Sequence, residues 1–170
     1  HWFRRDLRVA GNPALQTNWR RHHGRVLGLF AFDHMFLSRP DFSHNRFGFF
    51  LRTLQALREE LRSIGGDLLV LDVGPQTAYE QLFAALDAAG LPRPELVTFN
   101  RDYEPFARER DGRISRWLEH DQGIAVQTER DHLLIEPDEI TRDNLPGAMF
   151  QVYSPFAKRW FERLATPEVQ

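Results

Sequence analysis

Apolar positions along the chain follow two rhythms. Short, near-continuous apolar runs stand at residues 26–32, 68–73 and 96–99, as expected for strands covered on both faces of a parallel sheet. A stub at Trp2 and Phe3 and a run at 124–126 supply a first and a fifth strand. Between the runs, apolar residues recur at helical spacing. Ser43 is read as the N-cap of the longest helix, which places Phe47, Phe50, Leu51, Leu54, Leu57, Leu61 and Ile64 on one face before Gly65-Gly66 stops it. Asn12-Pro13 opens an earlier helix with Leu15 and Trp19. Gly74-Pro75 opens a later one with Tyr79, Leu82, Phe83 and Leu86, ending near Gly90. Glu104-Pro105 opens a fourth, with Phe106, Ala107, Ile114, Trp117 and Leu118.

This alternation predicts an α/β fold: a doubly wound, five-stranded parallel sheet with helices on both faces. Beyond residue 130 the periodicity fails, and Pro137, Pro146 and Gly147 read as a surface connector. Ser154-Pro155 then starts a helix with Phe156, Trp160, Phe161 and Leu164, four large apolar side chains with no obvious partner. The predicted organisation is therefore an α/β domain at 1–130 and a connector with the start of a linker at 131–170. The chain also opens at His1 directly into Trp2-Phe3, as if a first strand were entered partway.

Composition narrows the function classes. A chain of 170 residues that is 42% apolar can bury one substantial core. Its 22 Lys and Arg against 24 Asp and Glu give no basic excess, so DNA contact through these residues is expected to be weak or absent. Absence of cysteine removes disulfides and thiolate chemistry and suits a cytoplasmic protein. No run approaches the roughly 20 apolar residues of a membrane span. Neither glycine phosphate cradle, G-x-G-x-x-G or G-x-x-x-x-G-K-[ST], occurs, and the histidines lack zinc spacing.

Ligands of an open parallel sheet lie beyond the carboxyl ends of its strands, where the strand order reverses. Arg4-Arg5-Asp6-Leu7-Arg8 follows the first strand, Asp33 the second, and Asn100-Arg101-Asp102-Tyr103-Glu104 the fourth. With a 3-2-1-4-5 order, the first and fourth groups face one cleft. Arg–Asp pairs at strand ends also serve as structural ion pairs that satisfy loop carbonyls, and composition does not separate the two roles.

Three segments carry a family resemblance. The run from Trp2 through Arg5-Asp6-Leu7-Arg8 to Asn12-Pro13-Ala14-Leu15 resembles the W-[FH]-R-R-D-L-R-x-x-D-N-x-A-L opening of DNA photolyases and cryptochromes. Asn100 to Asp111 resembles their N-x-x-x-E-P-x-x-x-x-R-D segment, and Tyr153-Ser154-Pro155-Phe156-Ala157-Lys158-Arg159-Trp160 resembles the motif at the exit from their first domain. The main departure is Gly11, where the family usually has Asp.

The resemblance implies a Rossmann-like N-terminal domain, an α/β fold with a doubly wound five-stranded parallel sheet, that holds a light-harvesting antenna chromophore. It also implies a helical FAD-binding domain beyond these residues, which flips a UV-induced pyrimidine dimer out of the duplex for electron transfer from reduced flavin. No catalytic residue is expected here. The antenna cleft is expected around Arg5, Asp6, Asp33 and Asp102, with Arg46 and Phe50 contacting from the side. The function implied is light-driven repair of UV-damaged DNA in the full-length protein. A cryptochrome-type blue-light photoreceptor is the alternative, and a free-standing nucleotide-binding module a third.

The same resemblance favours deazaflavin or flavin over methenyltetrahydrofolate. Folate-binding photolyases of the best-known bacterial type carry an Asn-Glu pair where this sequence has Phe106 and Ala107. An unpaired buried pterin edge would lose roughly 1–3 kcal/mol per group.

Overall fold

The structure, a computed structural model, describes every residue except 33–39, 41, 143, 144, 146, 168 and 170. The chain divides into two compact units, His1–Glu129 and Arg130–Gln170.

In the first unit, β1 (Trp2–Phe3), β2 (Gly28–Ala31), β3 (Leu68–Leu71), β4 (Leu96–Asn100) and β5 (Ala125–Glu129) alternate with α1 (Pro13–Arg21), α2 (His44–Ser63), α3 (Pro75–Ala88) and α4 (Pro105–Arg116). Every strand pairing is parallel. Helix starts are where the local chemistry puts them. Asn12 and Ser43 accept hydrogen bonds from Leu15 N and Arg46 N, while Pro75 and Pro105 sit at first helical positions that need no amide hydrogen. A π-helical turn, Trp117–Asp121, extends α4.

The predicted single sheet is corrected to two, ordered β1-β2-β3 and β4-β5. β1 contributes only two residues, both paired with β2 through Trp2↔Leu29 and Phe3↔Phe30. That leaves too little strand to sustain a second ladder, although β1 lies beside β4. Side chains make the join instead, as with His1 Nδ1 and Thr98 Oγ1 at 3.0 Å.

Two apolar clusters cover opposite faces. Phe3, Phe30 and Leu68 pack with Leu15 of α1 and Leu54, Leu57 and Leu61 of α2. Trp2, Leu29 and Phe99 pack with Tyr79, Leu82 and Phe83 of α3 and Ile114 of α4. The run at 26–32 shortens to Gly28–Ala31, because Val26 N bonds to Gly24 O in a turn. Phe106, expected on the packed face of α4, is 56% exposed; Leu51 and Ile64 of the α2 face are exposed as well.

The second unit holds a 3₁₀ turn, Pro137–Glu139, closed by a reciprocal capping box between Glu136 and Glu139, and α5 (Tyr153–Leu164). Glu139 accepts from Arg130 Nη1 at 2.5 Å and from Arg163 Nε at 3.0 Å, tying the turn to α5.

Candidate functional site

Three successive residues after β1 are held by different partners. Arg4 turns inward: its guanidinium lies over Trp2 at 4.9 Å and Phe99 at 4.7 Å and pairs with Asp111 of α4. Arg5 turns outward, with Nη2 2.6 Å from Glu104 Oε1 and Nε 3.4 Å from Asp102 Oδ2. Asp6 turns back into the protein. This alternation continues the period of two from the strand.

Asp6 is the centre of a closed polar network. Its Oδ2 accepts from Asn100 Nδ2 at 2.6 Å and Asn12 Nδ2 at 3.1 Å, and its Oδ1 accepts from Arg4 N at 3.0 Å. Asn100 Nδ2 also donates to Asn12 Oδ1, which caps α1, while Asn100 Oδ1 accepts from Ala14 N. The end of β4, the start of α1 and the loop after β1 are thereby joined by direct hydrogen bonds.

Burial acts on both titratable groups of this network. Burial works to raise the Asp6 carboxyl, but the neighbouring His1 ring and the Arg4 N–H outweigh it and hold it below the usual carboxylate range. Burial pushes the His1 imidazole below its ordinary value, against the attraction of Asp6, whose Oδ2 stands 3.8 Å from Nε2. His1 is thus held neutral.

Arg5 differs in being open. Its side chain is 61% exposed while that of Asp102 is 8% exposed. The hydrogen bond from Arg5 to Glu104, against a smaller opposing effect of burial, raises the guanidinium above its ordinary value. A planar fork with five N–H donors and two carboxylate partners has donors to spare for a carbonyl or anion. Asp102 Oδ1 also accepts from Glu104 N at 3.3 Å, folding the loop that carries both acids.

The structure therefore brings Arg5 and Asp102 together and sets Asp6 beneath them in the buried network. Phe50 lies within an aromatic group with Phe30, Phe32 and Phe47, at ring separations of 5.5, 5.8 and 6.5 Å. Arg46 is exposed one turn earlier on α2. Asp33 lies outside the described residues. Sequence reasoning does not single out Arg4, Thr98, Asn100 or Asp111 as a positioning set; for Arg4, its two-residue offset from Trp2 was the available signal.

A cavity of about 210 Å³, lined by Leu27, Leu29, Tyr79, Leu82, Leu96 and Val97 among others, opens at the amino ends of β2 and β4. Ligands of this architecture gather at the carboxyl ends, so the rim around Arg5 is the stronger candidate.

The family model described as DNA photolyase matches residues 1–170. The chain belongs to the DNA photolyase family. It is 36% identical over 159 residues to an uncharacterized 31.6 kDa protein of Synechococcus sp. (strain PCC 6716), covering 94% of this chain and 52% of that one. It is 35% identical over 159 residues to a deoxyribodipyrimidine photo-lyase of Synechococcus sp. (strain ATCC 27144), covering 94% of this chain and 31% of that protein. Cryptochrome-2 of Gallus gallus is 33% identical over 144 residues, covering 85% of this chain and 23% of its own. A bacterial class III photolyase from Agrobacterium tumefaciens superposes with a TM-score of 0.74 at 26% identity, over 99% of this chain and 32% of that chain. The chain thus spans about half the length of the first relative and about a third or less of the other three.

Proposed function

We propose that this chain is the antenna-binding domain of a light-driven enzyme that splits UV-induced pyrimidine dimers with FAD. The observation that carries the site is Arg5, held open to solvent between Asp102 and Glu104 at the carboxyl ends of β1 and β4. Arg5 donates to the carbonyls or ring nitrogens of a planar chromophore, and Asp102 accepts from its N–H edge or fixes Arg5. Phe50 and Arg46 of α2 are proposed as lateral contacts of the chromophore, and Asp33, outside the described residues, is kept from the family resemblance alone. Asp6 acts from below, holding the loop in place through Asn12 and Asn100.

The chromophore proposed is deazaflavin or flavin rather than methenyltetrahydrofolate. Phe106, 56% exposed on the first turn of α4, stands where the folate pattern has a hydrogen-bonding side chain. When bound, an antenna supplies absorbed light energy to the FAD. The residues that hold FAD, flip the dimer and contact damaged DNA are assigned to sequence outside this chain, and the whole protein to the cytoplasm. Among the described residues no helix is long and apolar enough to cross a membrane.

The test is reconstitution of the full-length protein with FMN, a deazaflavin or methenyltetrahydrofolate, followed by energy transfer to FAD. Uptake of a flavin or deazaflavin that falls at least tenfold in Arg5→Ala and Asp102→Ala is the expected result. Tight folate uptake alone would overturn the chromophore assignment. The cryptochrome reading is supported by the 33% identity to Cryptochrome-2, and a dimer-splitting assay decides between the two.

A further inference from the structure

We propose that the Arg4–Asp111 pair is a positioning device for Arg5, an inference that rests on the antenna reading above. Arg4 and Arg5 share one stretch of backbone yet are held from opposite sides of it. Arg4 is clamped in the interior: its side chain is 9% exposed and that of Asp111 11%, and the two are ion-paired. Asp111 Oδ1 also accepts from Arg110 Nε at 2.9 Å, and Arg110 Nη2 stands 2.8 Å from the same oxygen in the ion pair. One buried carboxylate therefore holds two guanidinium groups.

Aromatic faces complete the clamp. Arg4 lies over Trp2 and Phe99, and Arg110 lies over Trp2 at 5.2 Å. A planar, delocalised cation can stack on two rings and pair with a carboxylate at once, which an ammonium does less well. The same helix supplies both attachment points of the loop. Asp111 lies in the body of α4, and Glu104, the partner of Arg5, is its N-cap. Fixing Arg4 to the body of α4 sets the distance and direction from which Arg5 meets the start of α4. Arg5 is 61% exposed and its shortest contact is to Glu104, itself 60% exposed, while Asp102 at 3.4 Å is buried, so the clamped residue next to Arg5 sets where its guanidinium meets the two acids.

The experiment uses the full-length protein and FMN as the probe, in a double-mutant cycle between Asp111→Asn and Arg5→Ala, with Arg4→Lys as a milder variant. Residues that act through one another are non-additive in such a cycle, and independent ones add. The expected result is that Asp111→Asn and Arg4→Lys each weaken FMN binding tenfold or more with the fold retained by circular dichroism. In the Arg5→Ala background, Asp111→Asn should then change binding by less than twofold. Ligand-free crystal structures of the two variants should show Arg5 released from Asp102 and Glu104. Additive effects, or unchanged affinity with Arg5 still in place, would overturn the proposal. Loss of the fold in both variants would also overturn it, making the pair a fold anchor. If the parent protein takes up no FMN, the antenna reading fails for that probe, and the position of Arg5 in the variant structures still decides the positioning role.

Discussion

Asp6 and His1 show how one buried network sets the acid sensitivity of the domain. The His1 imidazole has a folded-state pKa below 6.5, so the unfolded chain binds its proton more readily. Stability attributable to His1 is therefore complete above about pH 6.5 and falls as pH drops below that value. Asp6, with its folded pKa lowered from 3.8, contributes stability above that value that is lost on further acidification. Urea unfolding should show a lower midpoint at pH 5.5 than at pH 7.5, and His1→Gln should flatten that slope; an equal slope in the variant would remove His1 from the account. Asp6→Ala, which strands donors of Asn12 and Asn100, should cost about 3 kcal/mol at neutral pH in the same assay. That the loops carrying Arg5 and Asp102 face one another was legible from the strand-end rule; the two residues themselves were singled out by the family resemblance. The inward turn of Asp6 was not, because it depends on Asn12 and Asn100 arriving from distant positions.

Among the elements, the start of α1 explains the departure at Gly11. Gly11 has φ +65°, and a Cβ there would meet nothing within 4 Å, so the constraint is backbone conformation and not space. Asp is among the non-glycine residues that enter the left-handed region most readily, so the usual family residue fits the same turn. Gly11→Ala should cost about 1–2 kcal/mol by chemical denaturation. Asn12→Ala should cost more than the ~1 kcal/mol of an ordinary N-cap, about 2–3 kcal/mol, since a fully buried carboxamide also receives Asn100 and donates to Asp6. Helix and strand periodicity exposed all four α/β helices and all five strands to sequence reading. It overreached where a stripe is wider than the surface it packs on: Leu54, Leu57 and Leu61 are buried, while Leu51 lies to one side and Ile64 is the C-cap at the helix end. The break between β1 and β4 could not be read from pattern, since it turns on how many residues β1 contributes to a ladder.

For the molecule as a whole, the balance of charge and the placement of apolar surface point in different directions. A formal net charge of −2 gives little electrostatic attraction to a phosphate backbone, whereas α5 offers an apolar one to other protein surface. Tyr153 is 76% exposed, Phe156 38% and Phe161 62%, on a helix whose second unit is braced by Glu139 between Arg130 and Arg163. That bracing is polar and Phe156 adds an edge contact to Phe150, which leaves Tyr153 and Phe161 as the more exposed aromatic side chains. Contiguous apolar patches beyond a few hundred Å² are uncommon on monomers and promote association. The 170-residue chain alone should therefore self-associate in a concentration-dependent way by sedimentation velocity. Tyr153→Ser combined with Phe161→Ser should shift it toward monomer while changing the unfolding midpoint little, since surface substitutions usually stay within about 0.5 kcal/mol. A parent chain that stays monomeric, or a doubly substituted chain that associates equally, would show that these side chains are not what drives assembly. A large drop in the unfolding midpoint would instead show that they pack within the fold.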